Sequence, residues 1–321
     1  MSTTNPSASL PVIFLMGPTA SGKTALAVEL VRSMPVDIIS VDSAMVYRGM
    51  DIGTAKPGAD ILAVAPHRLI DVCEPEQVYS AGQFCVDARH EIAAVHAQGR
   101  IPLLVGGTGL YFRSLQYGFS EMPAADPEVR ARIEAQAQAV GWGVLHERLA
   151  TVDPVAASRI HQNDPQRIQR ALEIYELTGK PISTLHEQGR TQALVNPVIK
   201  LIVAPAQRSD LSEHIRLRFV NMLEQGLVVE VERLRARQGL TASSTAMRLV
   251  GYRQVWSYLD GDYDYNTMIE KGIYATNQLA KRQLTWLRSE QNAHWIDANR
   301  PKLSHYLLNF LGQNPVYSYR L

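Results

Sequence analysis

Cysteine is scarce: Cys73 and Cys85 are the only two in a chain of 321 residues. Two thiols cannot build a disulfide framework, so a reducing compartment is expected. They are also too few for a cysteine zinc site, and the nine histidines show no metal-ligand spacing. Charge of one sign is not in excess either. Against 31 Asp and Glu stand 32 Lys and Arg, a net +1, so no gross field marks the whole chain for nucleic acid or membrane. No apolar run approaches the ~18–20 residues needed to cross a bilayer. Met1–Pro11 has neither a basic n-region nor an apolar h-region, which argues against a secretory signal there. No internal repeat or low-complexity segment is visible. What is present, 46% hydrophobic and 20% charged residues, suits a cytoplasmic globular protein of one large domain or two ordinary ones, able to bury a core without staples.

Val12–Met16 is a short apolar run between Pro11 and Gly17 and predicts a buried strand. A helix over 25–34 follows and stops at Pro35, and Val36–Val41 predicts a second buried strand. Together they form a βαβ unit, the signature of a parallel α/β sheet. A helix over 81–97 leads through Gly99 to a further strand at Ile101–Val105, and Ile199–Ala204 repeats the strand pattern far downstream. Between those last two strands the pattern is helical. Its clearest helix starts at Asp164-Pro165, a good N-cap followed by proline at the first helical position, and ends at Gly179. The expected architecture is a P-loop NTPase-like parallel sheet flanked by helices, formed by 1–117 and 198–321, with an all-α insertion at 118–197. Helices continue over 210–288.

Gly17-Pro18-Thr19-Ala20-Ser21-Gly22-Lys23-Thr24 fits G-x-x-x-x-G-K-[ST] with a strand before and a helix after it. Glycines let the backbone wrap phosphate oxygens, and successive N–H groups with the helix N-terminus supply positive potential. Lys23 would reach the terminal phosphate and the Thr24 hydroxyl would help hold Mg²⁺. Ile101–Val105 ends in Gly106-Gly107-Thr108-Gly109, without the acid that NTP-hydrolysing relatives carry there. Val36–Val41 does end in one, Asp42. An ATPase motor is therefore disfavoured, and group transfer from a phosphorylated donor is what remains. Asp42 reads equally well as a turn residue or as a proton acceptor at the carboxyl edge of the sheet.

These segments, with Asp42-Ser43-Ala44-Met45-Val46-Tyr47, Asp51–Pro57, Val105–Tyr111, Met247-Arg248-Leu249-Val250-Gly251-Tyr252 and Gln278–Arg288, resemble the tRNA dimethylallyltransferase family over nearly the whole chain. The resemblance implies transfer of a dimethylallyl group from dimethylallyl diphosphate to N6 of adenosine 37 of tRNA, with Mg²⁺ and release of diphosphate. It implies that Asp42 takes the proton of the amine and that Thr19 to Thr24, Lys23 among them, hold the donor. It also implies an arginine on the 211–224 helix beside the diphosphate. Arg218 is chosen over Arg216, and a surface ion pair is the competing role for either. Where the family often has glutamine, this chain has Met45, which cannot donate a side-chain hydrogen bond to a base.

A tRNA acceptor calls for local basic faces, with the target base extruded from its loop. Gln166, Arg167 and Arg170 share one face of the insertion helix, opposite Ile168 and Leu172. The family match takes in Ile168 and Gln169 with the rest of 166–170, and the insertion is expected to contact the anticodon stem-loop. Arg248 and Tyr252 pair a cation with an aromatic ring. Lys281, Thr285 and Arg288 form one stripe of a late helix, with Arg282 beside it, while Ala280, Leu284 and Leu287 form the apolar one. Taken alone, each stripe is more often an ordinary solvated face; the family match favours RNA contact for 166–170 and 247–252, and it adds Thr108 and Arg130. Trp142, Trp256 and Trp286 read as packing anchors and His67 as a surface or core residue. A monomer is expected. The competing functions are an adenylate isopentenyltransferase acting on free nucleotide, a small-molecule kinase, and an RNA-binding module with a vestigial nucleotide loop.

Overall fold

The computed structural model describes residues 10–120, 122–187 and 193–313. Residues 1–9 of the stretch read as lacking a signal lie outside the described residues. The chain forms two compact units, Met1–Arg113 with Val195–Leu321, and Ser114–Leu194, against the 118–197 segment read from the sequence.

In chain order the elements are β1 (Val12–Met16), α1 (Lys23–Ser33), β2 (Val36–Val41), α2 (Ala59–Val64), β3 (His67–Arg68), α3 (Ala81–Ala97), β4 (Ile101–Gly106) and α4 (Gly109–Tyr117). Next come α5 (Pro127–Val140), α6 (Trp142–Val152), α7 (Pro154–Arg159), α8 (Pro165–Thr178) and α9 (Ile182–Glu187). The rest are β5 (Val198–Ala204), α10 (Arg208–Glu224), α11 (Leu227–Arg235), α12 (Tyr252–Leu259), α13 (Tyr265–Arg288), β6 (Ala293–Asp297) and α14 (Leu303–Gly312).

The first unit is built on one six-stranded sheet in the order β3-β2-β4-β1-β5-β6, and every pairing is parallel. This is the P-loop type of core read from the sequence. The five residues of β1 are all buried, as expected of a central parallel strand covered on both faces. Ile13, Leu15, Ile38, Leu103 and Leu201 pack with Leu26 and Leu30 of α1. A second cluster around Val46, Met50, Phe219, Leu227, Tyr252 and Met268 joins the loop after β2 to α10–α13.

The sequence reading omits β3 and β6, and each omission has a physical reason. β3 is two residues long, held by Ile38 pairing His67 and Ile39 pairing Arg68, too short to carry a periodicity. β6 is an edge strand with one buried residue, Ile296, so its sequence shows no apolar run.

In the second unit three helices start at Asp-Pro pairs. Asp126, Asp153 and Asp164 accept backbone N–H bonds from the first turns of α5, α7 and α8. Proline follows each at the first helical position, where its missing N–H costs nothing. Gly179 ends α8 in the left-handed conformation, φ 67°. The core of this unit is Val129, Ile133, Leu145, Leu149, Ile168 and Leu172.

Candidate active site

Parallel register sets the site. Met16 and Val41 both pair with Gly106, so β1, β2 and β4 end level and release three loops at one carboxyl edge. The loop after β1 turns into α1 through Gly22, whose φ of 80° is a left-handed value that glycine adopts without strain. A Cβ on Gly106 would collide with the Val41 carbonyl, so β2 and β4 approach as closely as they do because that side chain is absent. Inside the first loop the Ser21 hydroxyl is buried and has no hydrogen-bond partner among the described residues. An orphaned donor beside a helix N-terminus is what a phosphate oxygen would satisfy.

The three loops enclose a cavity of about 420 Å³, within the ~300–1,000 Å³ of small-molecule pockets. Thr19, Lys23 and Thr24 line it from one side and Asp42, Ser43, Ala44 and Met45 from another. Thr108, Arg218, Arg248, Leu249, Val250, Gly251, Tyr252 and Arg282 complete the sequence-predicted set within it. A second opening of about 490 Å³ is lined by Ala20, Ser21 and Gly22 and shares Lys23, Thr24 and Arg218 with the first.

Lys23 donates to the Pro18 carbonyl at 3.0 Å. Burial pulls its pKa down to about 8, the Asp42 charge raises it, and Arg218 lowers it again. Burial likewise lowers Arg218, with Asp42 opposing. The alternative, Arg216, is exposed and forms an ion pair with Glu213 at 2.7 Å. Asp42 accepts the Ala44 N–H at 2.8 Å through Oδ1. It is thus a turn residue and a cavity residue at once, the two readings its sequence position allows. Thr108 Oγ1 accepts the Ser43 N–H at 3.0 Å, which ties the loop after β4 to the loop after β2.

Three supports escape the sequence reading. Gln283 of α13 accepts the Thr19 N–H at 2.8 Å and donates to the Gly107 carbonyl at 3.1 Å, bridging the phosphate loop and the loop after β4. Its signal is present: a polar residue at i+3 from Ala280 and i−4 from Leu287, on the inward stripe of an amphipathic helix. Glu230 is buried and accepts the Asp51, Ile52 and Gly53 N–H groups at 2.8–3.1 Å and the Tyr252 hydroxyl at 2.6 Å. Lys56 donates to the Tyr47 carbonyl and forms ion pairs with Asp51 and Asp71, both at 2.6 Å. No local pattern announces these long-range partners. If Gln283 positions the phosphate loop, Gln283→Ala is expected to weaken binding of inorganic diphosphate by about 5–150-fold, since two bonds each net ~0.5–1.5 kcal/mol. Calorimetric titration checks this, and unchanged affinity would remove Gln283 from that role.

Other residues fall elsewhere. Met247 and Ile168 are fully buried, so neither offers its side chain to a ligand; each anchors a segment whose polar neighbours are exposed. The Tyr252 ring is buried against Gly53. Lys281 and Arg288 are exposed on α13 outside the cavity. Trp286 packs on Gly109 and, at 6.2 Å between ring centroids, on Phe112 while lining the cavity. His67 also lines the cavity; its Nδ1 lies 2.8 Å from the Ala65 carbonyl, and burial lowers its pKa.

In the second unit, Arg130 and Arg170 both bond the buried Glu173 carboxylate, at 2.9 and 2.6 Å. Arg170 also donates to the Pro123 carbonyl at 2.6 Å. These two arginines are held by internal partners, whereas Gln166 and Arg167 are exposed, Arg167 3.3 Å from Asp164. Gln169 donates to the Arg130 carbonyl at 3.2 Å. The reason lies in Glu173, a carboxylate one turn beyond Arg170 that needs cations once buried.

A family model described as IPP transferase matches residues 45–290. The tRNA dimethylallyltransferase of Thioalkalivibrio sulfidiphilus is 61% identical over 279 residues, 87% of each chain. That of Alkalilimnicola ehrlichii is 59% identical over 281 residues, 88% of each chain. Among solved structures, the full-length tRNA isopentenylpyrophosphate transferase of Bacillus halodurans superposes with a TM-score of 0.69 at 35% identity, covering 94% of this chain and 95% of its own.

Proposed function

The chain belongs to the IPP transferase family, and from that premise we propose that it transfers the dimethylallyl group of dimethylallyl diphosphate to N6 of adenosine 37 of tRNA, releasing diphosphate. One observation carries the reading: an anion-binding loop with two cations, Lys23 and Arg218, opens into the same cavity as a carboxylate, Asp42. N6 attacks C1 of the allyl group, the C1–O bond breaks, and its electron pair leaves with the diphosphate. The proton released from N6 passes to Asp42. Lys23 and Arg218 act most strongly where the leaving oxygens gain charge, which lowers the barrier rather than merely binding the donor. The Ser21 hydroxyl donates to a phosphate oxygen.

The target base reaches the cavity by extrusion from the anticodon loop. Arg248, Gly251 and the Thr108–Ser43 pair are positioned to meet it, while Gln166, Arg167, Lys281 and Arg288 meet backbone phosphates. Mg²⁺ fits the donor set. Thr24 lines both openings, and no group of three or more His, Cys, Asp or Glu suited to a metal occurs among the described residues. Such an ion would be held by the Thr24 hydroxyl and would draw its remaining ligands from diphosphate oxygens and water, the habit of Mg²⁺. When bound it neutralises diphosphate charge.

Lys23 supplies a pH signature. Only its protonated form stabilises diphosphate, so kcat/KM for the donor, which reports the free enzyme, is expected to fall as pH rises through about 8. In Lys23→Arg this limb disappears because a guanidinium stays charged. A wild-type profile flat well past that pH would contradict the assignment. The activity itself is tested with unmodified tRNA, labelled dimethylallyl diphosphate and Mg²⁺, followed by nucleoside analysis. Label is expected on N6 of one adenosine per tRNA. Preferential labelling of free adenine nucleotide, or γ-phosphate transfer from ATP, would replace the reading.

A further inference from the structure

A groove of about 430 Å³ lies between α12 and α13. It shares Val250 and Arg282 with the catalytic cavity, so the two adjoin. Three cations line it, Arg253, Lys271 and Arg282, and no carboxylate does. None of the three has an ion-pair partner among the described residues, and all three are exposed. Lys271 Nζ sits 5.3 Å over the Tyr263 ring, and the Tyr263 hydroxyl donates to the Gln254 carbonyl at 2.7 Å. One cation is therefore held in place by an aromatic ring that is itself fixed. Beside it Tyr274 is 66% exposed, unusual for a ring of this size with no partner to cover it.

The spacing along α13 orders these groups. Lys271, Tyr274, Gln278 and Arg282 fall at i, i+3, i+7 and i+11, one stripe of the helix. At 1.5 Å per residue the stripe runs about 16 Å away from the catalytic cavity. Lys281, at i+7 from Tyr274, and Thr285, at i+7 from Gln278, border the same face of the helix, and nothing in the family-derived set includes Arg253, Lys271 or Tyr274. Cations at intervals with an uncovered aromatic ring between them match a single-stranded nucleic acid, whose phosphates meet the cations while a base stacks on the ring.

We infer that this groove carries the anticodon-loop strand flanking the extruded adenosine, with Arg253 and Lys271 on its phosphates and Tyr274 stacked under an unpaired base. The inference rests on tRNA being the acceptor. It narrows that reading to a strand path along α13, set by charge complementarity and by the residues the groove shares with the cavity.

Fluorescence anisotropy of labelled tRNA, measured across a salt series, tests it. Arg253→Ala and Lys271→Ala are each expected to weaken binding about 3–10-fold at every tRNA sequence. Each should also reduce the slope of log K against log salt by about 0.7, the single-strand value per phosphate. Tyr274→Ala is expected to weaken binding by about 5–100-fold, the range for losing one base–aromatic stack, and to leave the salt slope as it is. Arg253→Lys should recover most of the affinity, because a phosphate accepts a point charge; a purely structural role for the guanidinium would not be rescued this way. If wild type binds and modifies tRNA while all three alanine variants keep its affinity and slope, the groove is not the strand path and the assigned reaction stands. If wild type neither binds nor modifies tRNA, the acceptor assignment fails and the strand path with it.

Discussion

Asp42→Ala is expected to lower prenyl transfer by about 10²–10⁴-fold, the usual cost of losing a general base, with tRNA affinity nearly unchanged. Single-turnover transfer at saturating tRNA and donor measures it. Alanine removes two things at once, the proton acceptor and the bond to the Ala44 N–H, and so cannot separate chemistry from loop geometry. Asp42→Asn can. Its side-chain oxygen still accepts from Ala44, but the amide is not a base at any working pH. If Asp42 takes the N6 proton, asparagine is as slow as alanine. If Asp42 only shapes the turn, asparagine keeps nearly the full rate, and the base must be sought elsewhere.

Lys23→Ala is expected to lower the same rate by about 10²–10³-fold, by analogy with removing one donor from a preorganised anion site. The fold should not suffer. Burial is the main influence on this amine, and it holds the folded-state pKa near 8, below the ordinary 10.5. The sign is definite: a lysine with a depressed pKa binds fewer protons folded than unfolded between those values. It therefore opposes folding fully below about pH 8, and the opposition fades as pH rises from about 8 to 10.5. Lys23→Ala removes that opposition, so its thermal midpoint at neutral pH should match or exceed that of wild type. Loss of activity together with a large fall in the midpoint would instead mean that Lys23 holds the loop together through its bond to Pro18.

The halves of the site that sequence alone exposes are those in which neighbours in the chain act together. Gly17 to Thr24 form one strand-turn-helix unit, and Asp42 follows its strand directly. Local spacing therefore carries their chemistry. The α8 helix is legible for the same reason, because Asp164, Pro165 and Gly179 act on their own backbone. What escaped is non-local. Gln283 reaches Thr19 across 264 positions, and Glu230 reaches Asp51 across 179. Arg130 and Arg170 look like free cations until folding brings them against Glu173. A basic residue on an amphipathic helix shows its charge in the sequence, but its acidic partner is chosen by tertiary packing. The choice of Arg218 over Arg216 turns on the same point: two residues apart on α10, they face opposite ways, one into the cavity and one to Glu213.

The central claim is that donor and acceptor meet across one cavity, with leaving diphosphate on the phosphate loop and the extruded purine at Asp42. The most direct measurement is a crystal structure of the protein with tRNA and diphosphate. Adenosine 37 is expected rotated out of its loop, with N6 about 3 Å from the Asp42 carboxylate and diphosphate against Lys23, Ser21 and Arg218. An adenosine still stacked in the anticodon loop, or one in the cavity with N6 turned away from Asp42, would contradict it.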